Sequence, residues 1–325
     1  VDPSAHPAAR LTGSLPARVD VYEVGPRDGL QNELRIVPLE GKLRLIAALV
    51  EAGERRIEAT SFVSPRWIPQ LSDAEDVLKV LPRVPGVTYS ALVPNLKGLE
   101  RARAAGLGEA AVFISASESH SKKNINKSIA QAVSVAGDVT RGALAAGMRV
   151  RAYLSVVWGC PYEGTVSLDR VVDLCRRLAD MGIYQLSLGD TVGVGVPNQT
   201  EEILTAVTRY VPVERIALHL HDTRGLALAN ALVGLSAGVT TFDASIGGLG
   251  GCPYAPGAAG NLATEDVVNM LHRMGIETGI DLGKLVEAGE VAQELIGRKL
   301  SGKYLQAALG ERDRAQARRR AVTAQ

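Results

Sequence analysis

Val19-Asp20-Val21-Tyr22-Glu23-Val24 runs directly into Gly25-Pro26-Arg27-Asp28-Gly29. The first six residues form a short β-branched run of the kind that makes a strand. The turn that follows has glycines at the wrong spacing for G-x-G-x-x-G, the phosphate-binding turn that a doubly wound dinucleotide-binding sheet places after its first strand. An Arg-Asp pair stands there instead. Moving outward, seven further strand-like runs follow: Arg56–Thr60, Val87–Leu92, Ala110–Ile114, Arg149–Val156, Tyr184–Leu188, Arg215–Leu220 and Thr240–Ile246. Helical patterns lie between them, among them Gly41–Glu51, Leu168–Met181 and Leu226–Leu235. The spacing, roughly 30 residues per strand-to-strand step, is that of a βαβ unit. No Pro/Gly/Ser-rich linker interrupts the series, so the chain reads as one α/β domain. A (β/α)8 TIM barrel with extra C-terminal helices after Glu265 is the expected fold, an open doubly wound sheet being the alternative. The domain is expected over 19–305, with a flexible lead at 1–18 and an Arg-rich tail at 306–325.

The 325 residues carry a formal net charge of +1, with 46% hydrophobic and 22% charged residues. That balance excludes disorder and gives no basic excess for nucleic acid. No apolar stretch reaches the roughly 18 residues of a membrane span. Three cysteines, Cys160, Cys175 and Cys252, form no zinc-ribbon spacing, and an odd number points to a reducing compartment. The lead is Pro- and Ala-rich with Arg10 and Arg18 but has no signal-peptide core, and a transit-peptide remnant is its alternative reading. Arginine outnumbers lysine 27 to 9, a bias of GC-rich bacterial genomes. It favours the cytoplasm over a mitochondrial matrix. The run Glu311–Arg320 reads as a solvated helix end or a loose tail.

In a barrel, function gathers at the C-terminal ends of the strands. The polar residues obey this placement: Arg27 and Asp28 follow strand one, Glu58 lies near the end of strand two, and Asp190 follows strand six. His219 and His221 close strand seven. On a strand, i and i+2 share a face, so both imidazoles aim into one space. Asp28 can add a carboxylate oxygen, and Asn261, beyond the last glycine-rich loop, an amide oxygen. Two imidazoles, two oxygens and open positions suit Mg²⁺ or Mn²⁺, while Zn²⁺ would prefer a closed tetrahedral set. Taken alone, Asp28 reads as an ordinary turn carboxylate. The loop Gly247–Gly257 carries five glycines around Cys252 and Pro253, and a mostly protonated thiol there can serve as acid or nucleophile. Gly159-Cys160-Pro161-Tyr162 repeats the tetrapeptide as a similar turn or a second thiol site, and Cys175 reads as a core residue.

With these residues assembled, the sequence resembles the 3-hydroxy-3-methylglutaryl-CoA lyase family of the metallolyase TIM-barrel superfamily. The strings that carry the likeness are Val24–Glu33, Glu58–Pro65, Val93–Gly98, Lys122–Asn126, Gly159–Gly164, Leu188–Gly195, His221-Asp222-Thr223 and Gly248–Asn261. The resemblance implies that Asp28, His219, His221 and Asn261 hold the divalent cation. It implies that Arg27 binds substrate and stabilises an enolate, and that Cys252 is the catalytic loop thiol. Glu58, Asp190 and Glu265 match acidic residues placed around the site as support or proton relay. Arg224 departs from the aromatic residue usual after His-Asp-Thr, which leaves the accepted substrate side chain open. The Arg-rich tail lacks the C-terminal cysteine of some animal members.

The reaction so implied is retro-Claisen cleavage of a CoA thioester to acetyl-CoA and acetoacetate. His219 or Asp28 would take the hydroxyl proton, Arg27 would receive the enolate charge, and Cys252 would act as the acid. A lyase for a bulkier 3-hydroxy-3-alkylglutaryl-CoA is the near alternative. A condensing enzyme of the citramalate or isopropylmalate synthase type is a remoter one, because such enzymes lack the Gly-Gly-Cys-Pro-Tyr loop and usually add a regulatory domain. A non-catalytic barrel would need none of these residues. A homo-oligomer, most simply a dimer, is expected, and Lys122 and Lys123 are candidates for the CoA phosphates.

Overall fold

The computed structural model describes residues 15–250 and 260–323. Eight parallel strands close on one another in sequence order: β1 (Asp20–Glu23), β2 (Arg56–Ser61), β3 (Thr88–Leu92), β4 (Glu109–Ser115), β5 (Arg149–Ser155), β6 (Gln185–Asp190), β7 (Ile216–Leu220) and β8 (Thr241–Ala244). Closure is made by β1 on β8, in register from Asp20 opposite Thr241 to Glu23 opposite Ala244. The fold is the TIM barrel expected from the alternation, and each expected strand lies within two residues of its observed ends.

Helices α1 (Leu39–Ala52), α2 (Ala74–Val80), α3 (Leu96–Ala104), α4 (Glu118–Ile125), α5 (Ile129–Ala145), α6 (Leu168–Asp180), α7 (Pro197–Val207) and α8 (Ala227–Ser236) cover the strands. Their apolar stripes explain why. In α6, Val171, Leu174, Cys175 and Leu178 recur at helical spacing and are buried, so Cys175 is a core residue, its thiol pushed up by burial. Helix α5 starts on a reciprocal cap: Ser128 Oγ accepts the Gln131 N–H, and Gln131 Oε1 accepts the Ser128 N–H. Helix α1 ends at Gly53 in the left-handed region (φ 107°), where a Cβ would meet the Gly279 carbonyl oxygen at 2.4 Å.

Three further helices follow, α9 (Thr264–Arg273), α10 (Leu282–Ile296) and α11 (Lys303–Thr323). Helix α10 packs on α1, beside the β1–β8 seam. Helix α11 is continuous across position 305, so the Arg-rich segment up to Thr323 is helical. The described end of the lead joins the barrel by a parallel bridge between Arg18 and Glu277. No helix among the described residues is long and apolar enough to cross a membrane.

The lumen is polar. Tyr22 donates to Glu109 (2.8 Å) and its hydroxyl oxygen lies 2.6 Å from Ser90 Oγ, from which it can accept, while Tyr184 donates to Glu109 (2.8 Å). Above them lies Arg151, fully buried and ion-paired with Asp243. Two more buried carboxylates tie loops together at the seam. Glu23 accepts the N–H groups of Gly25 (2.7 Å) and Ile246 (3.0 Å) and the Thr264 hydroxyl (2.7 Å), while Glu265 accepts the Gly247 N–H (2.7 Å). Burial raises Glu23 to about 7 and Glu265 to about 8, against an ordinary 4.5.

These carboxylates hold protons in the folded chain that the unfolded chain has released. Their contribution to stability is therefore fully present below about pH 4.5 and is lost as pH rises to about 8. The slope scales as about 1.4 kcal/mol per pH unit for each such group. Thermal melts of the wild type between pH 5 and 9 are expected to show the decline. Glu265→Gln and Glu23→Gln, which cannot ionise, are expected to flatten it. An undiminished slope in both variants would refute the protonated pair.

Candidate active site

After β1 the chain makes one π-helical turn, Gly25–Gly29, in which the N–H groups of Asp28 (2.7 Å) and Gly29 (3.2 Å) both reach the Val24 carbonyl. Such turns are rare and cluster at functional sites. The glycines are sterically required, since a Cβ on Gly25 would lie 2.5 Å from Glu23 Oε1 and one on Gly29 would lie 2.9 Å from Ser245 Oγ. The turn delivers Arg27 and Asp28 to the barrel mouth. Arg27 Nε donates to Glu58 Oε2 and its Nη1 to Asp28 Oδ1, both at 2.5 Å. Burial works against its charge, yet Glu58 and Asp28 hold the guanidinium pKa above the usual arginine value. Its face lies 5.6 Å from the Tyr153 ring centre. Glu58 itself is pushed up by burial, with Arg27 opposing, and its Oε1 is buried without a partner among the described residues.

Beside this ion pair, Asp28, His219 and His221 each offer a ligand atom, all within 4.8 Å of one another. The β7 strand brings both imidazoles to one side, with ring centres 5.3 Å apart. Asn261 arrives differently: after β8 the chain returns to pair with the end of β7, through a bridge between His221 and Asn261 and a Leu262 N–H to Leu220 carbonyl bond (2.9 Å). The Asn261 amide nitrogen donates to Asp28 Oδ2 (2.9 Å) and to the Leu249 carbonyl (3.1 Å). Burial alone would raise the Asp28 carboxyl. Arg27, then His219 and His221, hold it well below the usual carboxylate range. Burial, then His219, lowers His221 to about 4, so it stays a neutral imidazole at pH 7.

This set fits a divalent cation. Asp28 is anionic, His221 is neutral, and the His221 Nδ1 and Asn261 Oδ1 atoms are buried without a hydrogen-bond partner among the described residues. A buried polar atom left unpaired costs about 1–3 kcal/mol, and a cation bound among these groups would offset that cost.

The other acidic residues lie elsewhere. Asp190 accepts the N–H groups of Val194 (3.0 Å) and Gly195 (2.9 Å), so it braces the loop after β6. Glu265 sits beneath Gly247 and is not part of the ligand cluster. Cys160 is buried, its Sγ 2.9 Å from Ser117 Oγ, inside a tight turn closed by Cys160–Gly164 backbone bonds. Cys252 lies outside the described residues. Lys123 stacks on the Tyr162 ring at 4.1 Å. Arg224 is tied to the carbonyls of Val192 (2.7 Å) and Gly193 (3.2 Å). It borders a cleft of about 510 Å³ whose walls include Trp158, Cys160 and Val194.

The HMGL-like family model matches residues 18–292. The chain belongs to this family. The mitochondrial hydroxymethylglutaryl-CoA lyase of Rattus norvegicus is 53% identical over 295 residues, 91% of each chain. The crystal structure of the Bacillus subtilis HMG-CoA lyase superposes with a TM-score of 0.89 at 50% identity, over 90% of this chain and 98% of that one. An Acinetobacter baumannii HMG-CoA lyase, solved with coenzyme A and 3-methylmalate, gives 0.85 at 39% identity over 90% and 95%. The HMGL-like assignment accords with the resemblance read from the motifs.

Three residues of this HMGL-like site escaped the sequence reading: Arg151, Tyr153 and Asp243. Tyr153 donates to Glu58 Oε2 (3.2 Å), and Asp243 faces His219 Nδ1 (3.3 Å). A signal was present, because Arg151/Tyr153 and Thr241/Asp243/Ser245 alternate as polar residues along strands whose other residues are apolar.

If Asp28 and His221 ligate, Asp28→Asn and His221→Ala are each expected to weaken Mn²⁺ binding by at least about tenfold in calorimetry. Glu265→Gln, outside the cluster, should stay within about twofold. Equal affinities across all three variants would place the cation elsewhere.

Proposed function

We propose that the protein cleaves 3-hydroxy-3-methylglutaryl-CoA to acetyl-CoA and acetoacetate with the help of a divalent cation. The observation that carries this reading is the ion-paired Arg27 lying against an Asp28/His219/His221 cluster at one barrel mouth. Family membership supplies the reaction class, and the relative solved with coenzyme A supports a CoA thioester as substrate. Mg²⁺ or Mn²⁺ suits the mixed oxygen and imidazole set held by Asp28, His219, His221 and Asn261. When bound, the cation supplies Lewis acidity toward the tertiary hydroxyl of the substrate.

The protein's own groups would do the rest. As the hydroxyl proton leaves, C3 becomes a ketone, the C2–C3 bond breaks, and its electron pair passes to C2 and the thioester oxygen. Arg27, pinned by Glu58 and Asp28, is a fixed cation for that charge, with no reorganisation needed as the charge develops. Asp28, held far below its usual range, is a poor proton acceptor. With His219 Nε2 turned to the ligand cluster and Nδ1 facing Asp243, neither nitrogen of that imidazole is free to take the hydroxyl proton, which would pass to solvent at the barrel mouth. Cys252 would donate its proton to C2, giving acetyl-CoA, and recover one from solvent. Asp190 and Glu265 act through the backbone they brace. A cytoplasmic location and a dimer belong to the same proposal, as do CoA phosphate contacts from Lys122 and Lys123.

Purified protein with Mg²⁺ is expected to release acetoacetate from the thioester. Arg27→Lys should lower kcat by about 10²–10³-fold and Cys252→Ala by about 10²–10⁴-fold. Full turnover in Cys252→Ala would overturn the acid role. No release with either metal would overturn the assignment, and faster turnover of a longer 3-alkyl homologue would redirect it.

A further inference from the structure

We propose that Asp243 is a positioning residue of the metal site: it holds the His219 imidazole in one tautomer, with the proton on Nδ1 and the Nε2 lone pair turned toward the ligand cluster with Asp28. This rests on the metal-dependent reading above. The strand register makes the juxtaposition, since β7 and β8 pair with His219 opposite Asp243. Both side chains face the lumen, and Asp243 Oδ2 lies 3.3 Å from His219 Nδ1. On the other side of the same ring, Nε2 lies 3.9 Å from Asp28 Oδ2, within the ligand cluster.

The direction of the hydrogen bond follows from what surrounds Asp243. Its side chain is fully buried. Oδ1 receives the Arg151 guanidinium, and Oδ2 receives the Ser187 hydroxyl at 2.7 Å. A carboxylate ion-paired with arginine has only acceptors to offer, so the shared proton belongs to His219. Nε2 is then the unprotonated nitrogen, the form a metal requires.

Arg151 cannot reorient to release Asp243. Its Nε donates to Gln185 Oε1 (2.8 Å), its Nη1 donates to the Tyr153 hydroxyl (2.8 Å), and its plane lies 4.0 Å from the Tyr22 ring centre. Tyr153 in turn packs edge-on to His219, with ring centres 5.9 Å apart and planes at 82°, so the imidazole is held both by its proton and by its edge. Because every arm of Arg151 is engaged within the lumen, Asp243 acts from beneath the site and through His219.

Two measurements test this on the full chain. Long-range ¹H–¹⁵N spectra of the metal-free wild type, with the His219 signals assigned by their loss in His219→Gln, should show the Nδ1–H tautomer. An Nε2–H tautomer would overturn the inference without recourse to any variant. Calorimetry with Mn²⁺ alone should show Asp243→Asn binding 10–100-fold more weakly, as removal of an outer partner of a ligating histidine typically does. Ser187→Ala, which removes another partner of the same carboxylate oxygen, should remain within about twofold of wild type. Wild-type affinity in a folded Asp243→Asn would refute the role of Asp243 alone. No Mn²⁺ binding by the wild type would instead overturn the metal reading and this inference with it.

Discussion

A guanidinium with no solvent exposure, that of Arg151, stands in the middle of the barrel, and the polar lumen is organised around compensating its charge. An unpaired ion in such a place costs several kcal/mol, so its partners are obligatory. Asp243 neutralises it, Gln185 and the Tyr153 hydroxyl accept from its Nε and Nη1, and the rings of Tyr22 and Tyr153 cover it at 4.0 and 4.8 Å. The partners then reach upward by two routes. Asp243 faces His219, and Tyr153 donates to Glu58, which holds Arg27. The buried charge therefore orders both a metal-ligand candidate and the substrate-binding cation, and the two cannot be repositioned independently.

Asp28 on one side and Glu23 and Glu265 on the other show how surroundings set the state of a buried carboxylate, with Glu58, paired with Arg27 yet still raised by burial, between them. Asp28 has a guanidinium at 2.5 Å, two imidazoles and an amide donor, and these outweigh its desolvation. Glu23 and Glu265 have only neutral donors, chiefly backbone N–H groups, and burial prevails. Negative charge is thus concentrated at the mouth, where a cation can use it, and withheld from the seam, where nothing positive would balance it. The same side chains can serve as ligand or as brace because local donors set the protonation state.

The alternation of strands with helices, and the i, i+2 pair His219 and His221, were legible in the sequence because both depend on local periodicity. So were Arg27 and Asp28, placed by a turn that directly follows a strand. The partnership of Asp243 with His219 was not legible, since it depends on register between two strands 24 residues apart. Polar alternation in Thr241-Phe242-Asp243 shows that Asp243 shares a face with Thr241, without showing what meets it. Asn261 was named as a ligand candidate from its place beyond the glycine-rich loop, but the return of the chain to His221 that sets its amide is encoded by no local pattern. Asp190 was recognisable as an acidic residue at a strand end and Glu265 only through the family resemblance, but the work of both is to bind backbone N–H groups, which sequence does not display.

The ligand candidates straddle the line where the barrel closes. Asp28 follows β1, His219 lies in β7 with His221 just past its end, and Asn261 follows β8, so the cluster exists only once the first strand has found the last. Closing a loop of more than 200 residues costs little more entropy than closing one of half that length, because the penalty grows only logarithmically. What the seam needs is therefore specific reinforcement more than brute stability. Glu23 supplies it by accepting from Gly25 on one side and from Ile246 and Thr264 on the other. Helix α10, packed on α1, buries Leu285, Ala288 and Ala292 and covers the same join from outside. The helices added after the eighth strand are thus structural parts of the site: they hold together the two ends of the barrel from which its ligands come.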